Sequence, residues 1–226
     1  MTKINWLIDF FYNLFFKKND DFVNSNIYIR KKLILEGIEI DTRNSLDWKW
    51  IVLHHSWSPD NQKVNDWTSI KRYHMSWRYQ GNIITEKKAK ELIASGKKGV
   101  ESPDIDIAYH CGCEYETLNG TLQLVFRIGR PLSLKGSHTK GFNLKAIGWC
   151  VIGNFDKKDM DSKQLGMFVR NAKEIMKYYN IPVMSAIGHW ESYILLNKAK
   201  TKEEAQKIKS CPGLAVNMQN IRRLLI

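Results

Sequence analysis

The sequence predicts an α/β or α+β domain organised around one central sheet, and three observations carry that expectation. Short apolar runs with strand character alternate with stretches whose apolar residues recur at helical spacing, the pattern that layers helices on a sheet. The 226 residues suit one fairly large domain with some decoration, or at most two small ones. Hydrophobic residues make up 43% and aromatic residues 12%, which is ample for a packed core and argues against wholesale disorder.

Taken in order, the chain opens on MTKINWLIDFFYNLFFKKNDD, which has the look of a signal peptide but not its grammar. Asn5, Asp9 and Asn13 interrupt the apolar run, and no small-residue cleavage site follows. The run is also too short to span a bilayer. Asn5, Asp9, Asn13 and Lys17 fall at i, i+4, i+8 and i+12, a single narrow polar stripe on an otherwise apolar helix. Residues 1–24 therefore read as an amphipathic helix and linker, and 25–226 as the main domain. Such a helix has to dock, either on its own domain or a protein partner, or on a membrane surface.

A strand-like NIYIRKKLILEGIEI precedes WKWIVLHHS, a buried-looking strand that ends on His54 and His55. Asp66 is placed to cap a helix carrying Trp67, Ile70, Tyr73, His74 and Trp77 on one side. Residues 81–103 are lysine-rich and read as an insertion, with a short helix at TEKKAKELIASG that stops at Gly96. DIAYHCGCEY and TLQLVFRIG are strands joined by LNGT, a hairpin signal. The loop RPLSLKGSHTKGFNLKA leads to the strand IGWCVIGNF. A long amphipathic helix covers 162–179, IPVMSAIGHW is a strand again ending in histidine, and a final helix carries Met218, Ile221, Leu224 and Leu225.

The formal charge of +12 favours polyanionic partners: nucleic acid, anionic membranes or the anionic polymers of a bacterial wall. No helix-turn-helix, zinc finger or stacking-aromatic motif accompanies it, and the lysines are scattered, so no nucleic-acid partner is expected. Four cysteines do not make a disulfide scaffold at this length. Cys111 and Cys113, at i and i+2 of one strand, point to the same face and read as filler. This usage fits synthesis in a reducing cytoplasm.

Two strands end in histidine, at His54 or His55 and at His189, and Cys211 sits in a turn before Pro212 and Gly213. Two imidazoles and a thiolate far apart in sequence form a plausible zinc triad with a fourth position left for solvent. Spacing alone does not separate that reading from satisfied structural histidines.

The segments IVLHHSWSP, DIAYHCGCEY, GRPLSLKGSHTKGFNLKAIGWCVIGNFD, IGHW and KSCPG, in this order, resemble the zinc-dependent N-acetylmuramoyl-L-alanine amidases of the type 2 family. This family includes phage amidase lysozymes and the peptidoglycan recognition proteins. The resemblance covers roughly residues 48 to 225 and narrows the fold to an α/β domain with a central mixed β-sheet flanked by helices, plus the extra N-terminal helix. It makes 25–226 the catalytic domain, with insertions near 81–103 and 192–208. It implies His54, His189 and Cys211 as ligands of Zn2+, with His55 structural, and Tyr109 and Lys209 as catalytic residues. His138 and Asn143 lie in the loop that, by resemblance, borders the substrate groove; hydrogen bonds that stabilise the loop are their other reading.

The implied reaction is hydrolysis of the amide between N-acetylmuramic acid and L-alanine in peptidoglycan, by a phage or prophage lysin. Such an enzyme is expected to be made in the cytoplasm without a recognisable cleavable signal peptide and to act on the bacterial cell wall. Some relatives place a glutamate in the strand corresponding to IGWCVIG; here that position resembles Cys150, which points to the branch working through tyrosine and lysine. A peptidoglycan-binding module without catalysis is the alternative, although such modules generally lack the zinc cysteine.

Overall fold

Ile51, Val52 and Leu53 form an unbroken apolar run with no solvent exposure, the signature of a strand covered on both faces. In the computed structural model, which describes residues 32–57 and 66–226, this run is the heart of strand β3 (Trp50–His55). β3 pairs in parallel with β10 (Ala186–Gly188) on one side and β9 (Ala146–Val151) on the other. β9 pairs in parallel with β7 (Cys111–Leu118), and β8 (Thr121–Ile128) closes the edge antiparallel to β7. The order β10-β3-β9-β7-β8 makes a mixed five-stranded sheet, the central sheet that the sequence predicts. The β7–β8 hairpin turns on Asn119 and Gly120, both with positive φ (50° and 77°), as a tight two-residue connection requires.

Helix α3 (Ser162–Tyr179) covers one face of the sheet, over the same span the apolar spacing predicts. Its start is fixed by a capping box, in which the Asp161 side chain accepts from the Gln164 backbone N–H and the Gln164 side chain reaches back to Asp161. Its end is set by Asn180 in the left-handed region at φ 54°. The buried stripe Phe168, Ala172 and Ile175 packs on the sheet, with Phe168 edge-on to Trp149 at 5.7 Å between ring centroids. Burial of a side chain as large as Phe168 stabilises the fold by about 1.5–3 kcal/mol. The C-terminal helix α6 (Met218–Leu225) joins this layer through Met218, Ile221 and Leu225.

A short hairpin of β1 (Leu33–Leu35) and β2 (Ile38–Ile40) adds Leu33 and Leu35 to the same core. Asn171 Nδ2, on α3, donates to the Glu36 carboxylate in its turn. On the opposite face, helix α1 (Trp67–His74) is capped by Asp66, which accepts from Ser69 N, and buries Trp67 beside Ile107 and Cys150. Cys111 and Cys113 are both buried in the α3-side core, on one face as their spacing implies.

Several elements differ from expectation. α1 ends at His74, so Trp77 lies beyond the helix and not on its apolar side. The strand expected from residue 106 begins at Cys111, which leaves Tyr109 and His110 in the preceding loop. Only the end of IPVMSAIGHW is a strand, because Val183–Ser185 is a 3-10 turn behind Pro182. The first lysine-rich segment holds the expected helix, α2 (Glu86–Ala94). It also holds two strands, β5 (Asn82–Ile83) and β6 (Val100–Glu101), of a small three-stranded sheet completed by β4 (Arg78–Tyr79). The second segment folds into α4 (Glu191–Leu195) and α5 (Lys202–Ile208). The helix expected over 1–24 lies outside the described residues.

Candidate metal centre

Successive side chains of a strand point to opposite faces, so the two histidines that end β3 part company. His55 turns toward Phe155, whose backbone N–H donates to His55 Nδ1 at 3.2 Å. Burial lowers its pKa to about 4, so it is neutral and spent on the backbone. His54 turns to the cleft face. Its Nδ1 stands 3.4 Å from Cys211 Sγ, and its Nε2 stands 2.9 Å from His138 Nδ1.

Parallel pairing brings the second histidine alongside. Gly188 is level with Leu53, and His189 N donates to Leu53 O at 3.3 Å. The His54 and His189 rings therefore lie 4.8 Å apart between centroids. Cys211 is held against the same strand end because Trp190 N donates to its carbonyl at 3.0 Å. One ligand atom from each of His54, His189 and Cys211 falls within 4.8 Å of the others. Around a tetrahedral zinc ion, donor atoms stand about 3.3–3.6 Å apart, and the His54–Cys211 pair already has that spacing at 3.4 Å.

The chemistry of the donors fits an ion as well as their distances do. His189 Nδ1 is buried and has no hydrogen-bond partner among the described residues, although buried polar atoms are almost always paired. Burial lowers the His54 pKa well below its ordinary value, with His189 and His138 adding to the shift. Burial together with the Lys209 charge takes His189 to about 3. Both imidazoles are thus neutral, the form that binds metal. Burial raises the Cys211 thiol to about 12, so a bound cation has to displace its proton. Two nitrogens and one sulfur suit zinc.

The three residues open on a cleft of about 500 Å³, whose lining includes Tyr109, His138, Lys207 and Lys209. Tyr109 lies with its ring 5.0 Å from that of His54. Burial, with Cys150 and Cys211 nearby, raises its pKa well above the ordinary value and keeps the phenol protonated. Lys209 follows α5 directly and is exposed, and its charge is felt at His54, His189 and Cys211.

Of the two loop residues, His138 is buried and borders the cleft. Asn143 is not part of the lining; its Oδ1 accepts from His138 N at 2.9 Å and Thr139 N at 2.8 Å, closing the loop on itself. Cys150 is fully buried, level with His54 on the adjoining strand. Its thiol is driven well above the ordinary range by burial.

His74 also lines the cleft, a placement the sequence reasoning missed. Its Nδ1 accepts from Ala108 N at 3.1 Å, and burial takes its pKa to about 4. Its spacing on α1 marked only an inward-facing position. From the second lysine-rich segment, Gln206, Lys207 and Ile208 join the wall, whereas no described residue of 81–103 does so.

The profile of the N-acetylmuramoyl-L-alanine amidase family matches residues 44–214, a span that holds all of these side chains. No curated protein matches the chain. Among solved structures, the chain is similar to the N-acetylmuramoyl-L-alanine amidase LysC from Clostridium intestinale URNW, at 20% identity, over 80% of this chain and 87% of that one, with a TM-score of 0.45. It is similar to Drosophila PGRP-LB wild-type at 17% identity, over 76% and 77%, with a TM-score of 0.43. It is also similar to the Ph2119 endolysin from Thermus scotoductus MAT2119 bacteriophage Ph2119, at 16% identity, over 79% and 84%, with a TM-score of 0.41.

Proposed function

The chain belongs to the N-acetylmuramoyl-L-alanine amidase family, and from that premise we propose that it is a zinc-dependent hydrolase of the amide between N-acetylmuramic acid and L-alanine in peptidoglycan. The observation that carries the proposal is the convergence of His54, His189 and Cys211 at one cleft, with His189 Nδ1 buried and unpaired.

These three residues would hold the ion. When bound, zinc supplies an activated water and polarises the carbonyl under attack. The remaining work falls to side chains on the cleft wall. Cationic Lys209 stabilises negative charge as it develops on the carbonyl oxygen, a contribution whose loss typically costs on the order of 100- to 1,000-fold in turnover. Tyr109, held as a phenol, donates its O–H to the substrate carbonyl or to the attacking water. Its ring lies 5.0 Å from that of His54, on the wall of the same cleft. Cys150 and His55 take no part: one is sealed in the sheet, the other bonded to backbone.

The +12 formal charge suits encounter with the anionic polymers of a cell wall. A phage or prophage lysin, made in the cytoplasm and acting on the bacterial wall, is the setting that the sequence resemblance suggests. The test is digestion of purified muropeptides by zinc-loaded protein, followed by mass analysis, with and without chelator. Free stem peptide beginning at L-alanine, released only without chelator, is the expected result. Zinc-loaded protein that binds muropeptides and leaves them intact would make it a recognition module instead.

A further inference from the structure

We propose that His138 is a positioning residue for the metal centre. Its ring fixes the His54 imidazole as the Nε2–H tautomer and thereby presents the His54 Nδ1 lone pair to the ion. This deepens the zinc reading above and rests on it for the identity of the ion.

His138 Nε2 lies 3.1 Å from Ala146 O, on the first residue of β9. A carbonyl oxygen only accepts, so the proton of the neutral His138 ring sits on Nε2, and Nδ1 is left as an acceptor. That Nδ1 faces His54 Nε2 at 2.9 Å. Two lone pairs cannot bond, so His54 carries its own proton on Nε2. Its lone pair is then on Nδ1, the atom 3.4 Å from Cys211 Sγ.

Thr139 agrees with this assignment. Its hydroxyl lies 2.9 Å from His138 Nδ1 and 3.3 Å from His54 Nε2. It can donate to the first while accepting from the second, as Nε2–H on His54 requires.

The His138 ring has little freedom to do otherwise, because it occupies a slot between two glycines. A Cβ on Gly136 would stand 2.4 Å from His138 Cδ2, and one on Gly148 would stand 2.5 Å from the same atom. The loop is fixed as well, with Asn143 Oδ1 accepting from the His138 and Thr139 backbone N–H groups. Hydrogen bonds behind a metal-bound histidine set its tautomer and ring orientation, and losing one typically costs about 10- to 100-fold in metal affinity or activity. The chain of contacts from Ala146 O through His138 to His54 has that form, assembled from residues 84 positions apart.

The test joins a spectroscopic readout to a binding readout. Long-range 1H–15N NMR spectra of the metal-free protein at neutral pH should show His54 and His138 both protonated on Nε2. A metal-free His54 protonated on Nδ1 overturns the proposal. Zinc affinity, measured by competition with a chromogenic chelator, should fall about 10- to 100-fold in His138→Leu. His138→Asn places an acceptor where Nδ1 was and should recover most of the loss. A folded His138→Leu variant that binds zinc as tightly as wild type also overturns the proposal. Should His138→Leu fail to fold, the wild-type tautomers and His138→Asn decide the matter. Absence of zinc binding by the wild-type protein would instead sink the hydrolase reading, while the His54 tautomer would still be scored in the metal-free spectrum.

Discussion

Arg130 and the His54 cluster are both polar groups sunk beside the same sheet. Arg130, only 3% exposed, spends its guanidinium on three carbonyls: Nε on Ile107, Nη1 on Lys135 and Nη2 on Asp106, each at 2.9 Å. Asp104 supplies a carboxylate 3.4 Å away. In contrast, one ligand atom from each of His54, His189 and Cys211 lies within 4.8 Å of the others, and His189 Nδ1 has no partner among the described residues. Burial of charge or dipole is common to both. What separates them is satisfaction: the arginine closes a loop, while the triad keeps a buried nitrogen unpaired beside two further donor residues, as a site built for a cation would.

The comparison breaks most visibly at the thiol. Cys211→Ser should leave the fold intact and lower zinc-dependent amidase turnover by more than about 1,000-fold. That corresponds to several kcal/mol of metal-derived stabilisation at about 1.4 kcal/mol per factor of ten. Full activity of that variant on muropeptides contradicts the ligand assignment. Lys209→Ala should retain one zinc per chain and lose on the order of 100- to 1,000-fold in kcat; loss of zinc with activity would move Lys209 from catalysis to structure.

At the other pole, Arg130→Leu strands one buried and two part-buried carbonyls and should cost about 3 kcal/mol of stability in a urea melt. A melt matching wild type would mean that the latch is ornamental.

A smaller effect sharpens the chemistry of the triad. In the metal-free protein, burial raises the Cys211 thiol to about 12 while His54 and His189 are already neutral. Around neutral pH, zinc therefore displaces one proton, from sulfur and not from nitrogen. Apparent affinity should rise about tenfold per pH unit, and calorimetry in buffers of differing ionisation enthalpy should count one proton released. Uptake without proton release would exclude thiolate ligation.

How much of this was legible in the sequence follows from how local each signal is. The bounds of α3 were readable because the capping box and the apolar stripe are written within one segment. The β7–β8 turn was readable from Asn119–Gly120. The β4–β5–β6 sheet was not, since strands of two residues carry no periodicity. Residues 192–208 read as a lysine-rich insertion, and no local pattern in them announces the five-residue helix α4. Family resemblance singles out His54, His189 and Cys211; residue type and spacing alone leave them open. The structure adds what no local pattern holds: the register that sets Gly188 beside Leu53, and the carbonyl of Ala146 standing behind His138. His74 was read as a helix-face residue because its cleft contact depends on a loop 34 residues away.

The central claim, that three distant side chains bind one ion, is tested most directly by X-ray absorption at the zinc edge of the loaded protein. It predicts a first shell containing one sulfur at about 2.3 Å and nitrogen ligands at about 2.0–2.1 Å, with the sulfur absent in Cys211→Ser. A wild-type shell made only of nitrogen and oxygen, or no retained zinc at all, would contradict it.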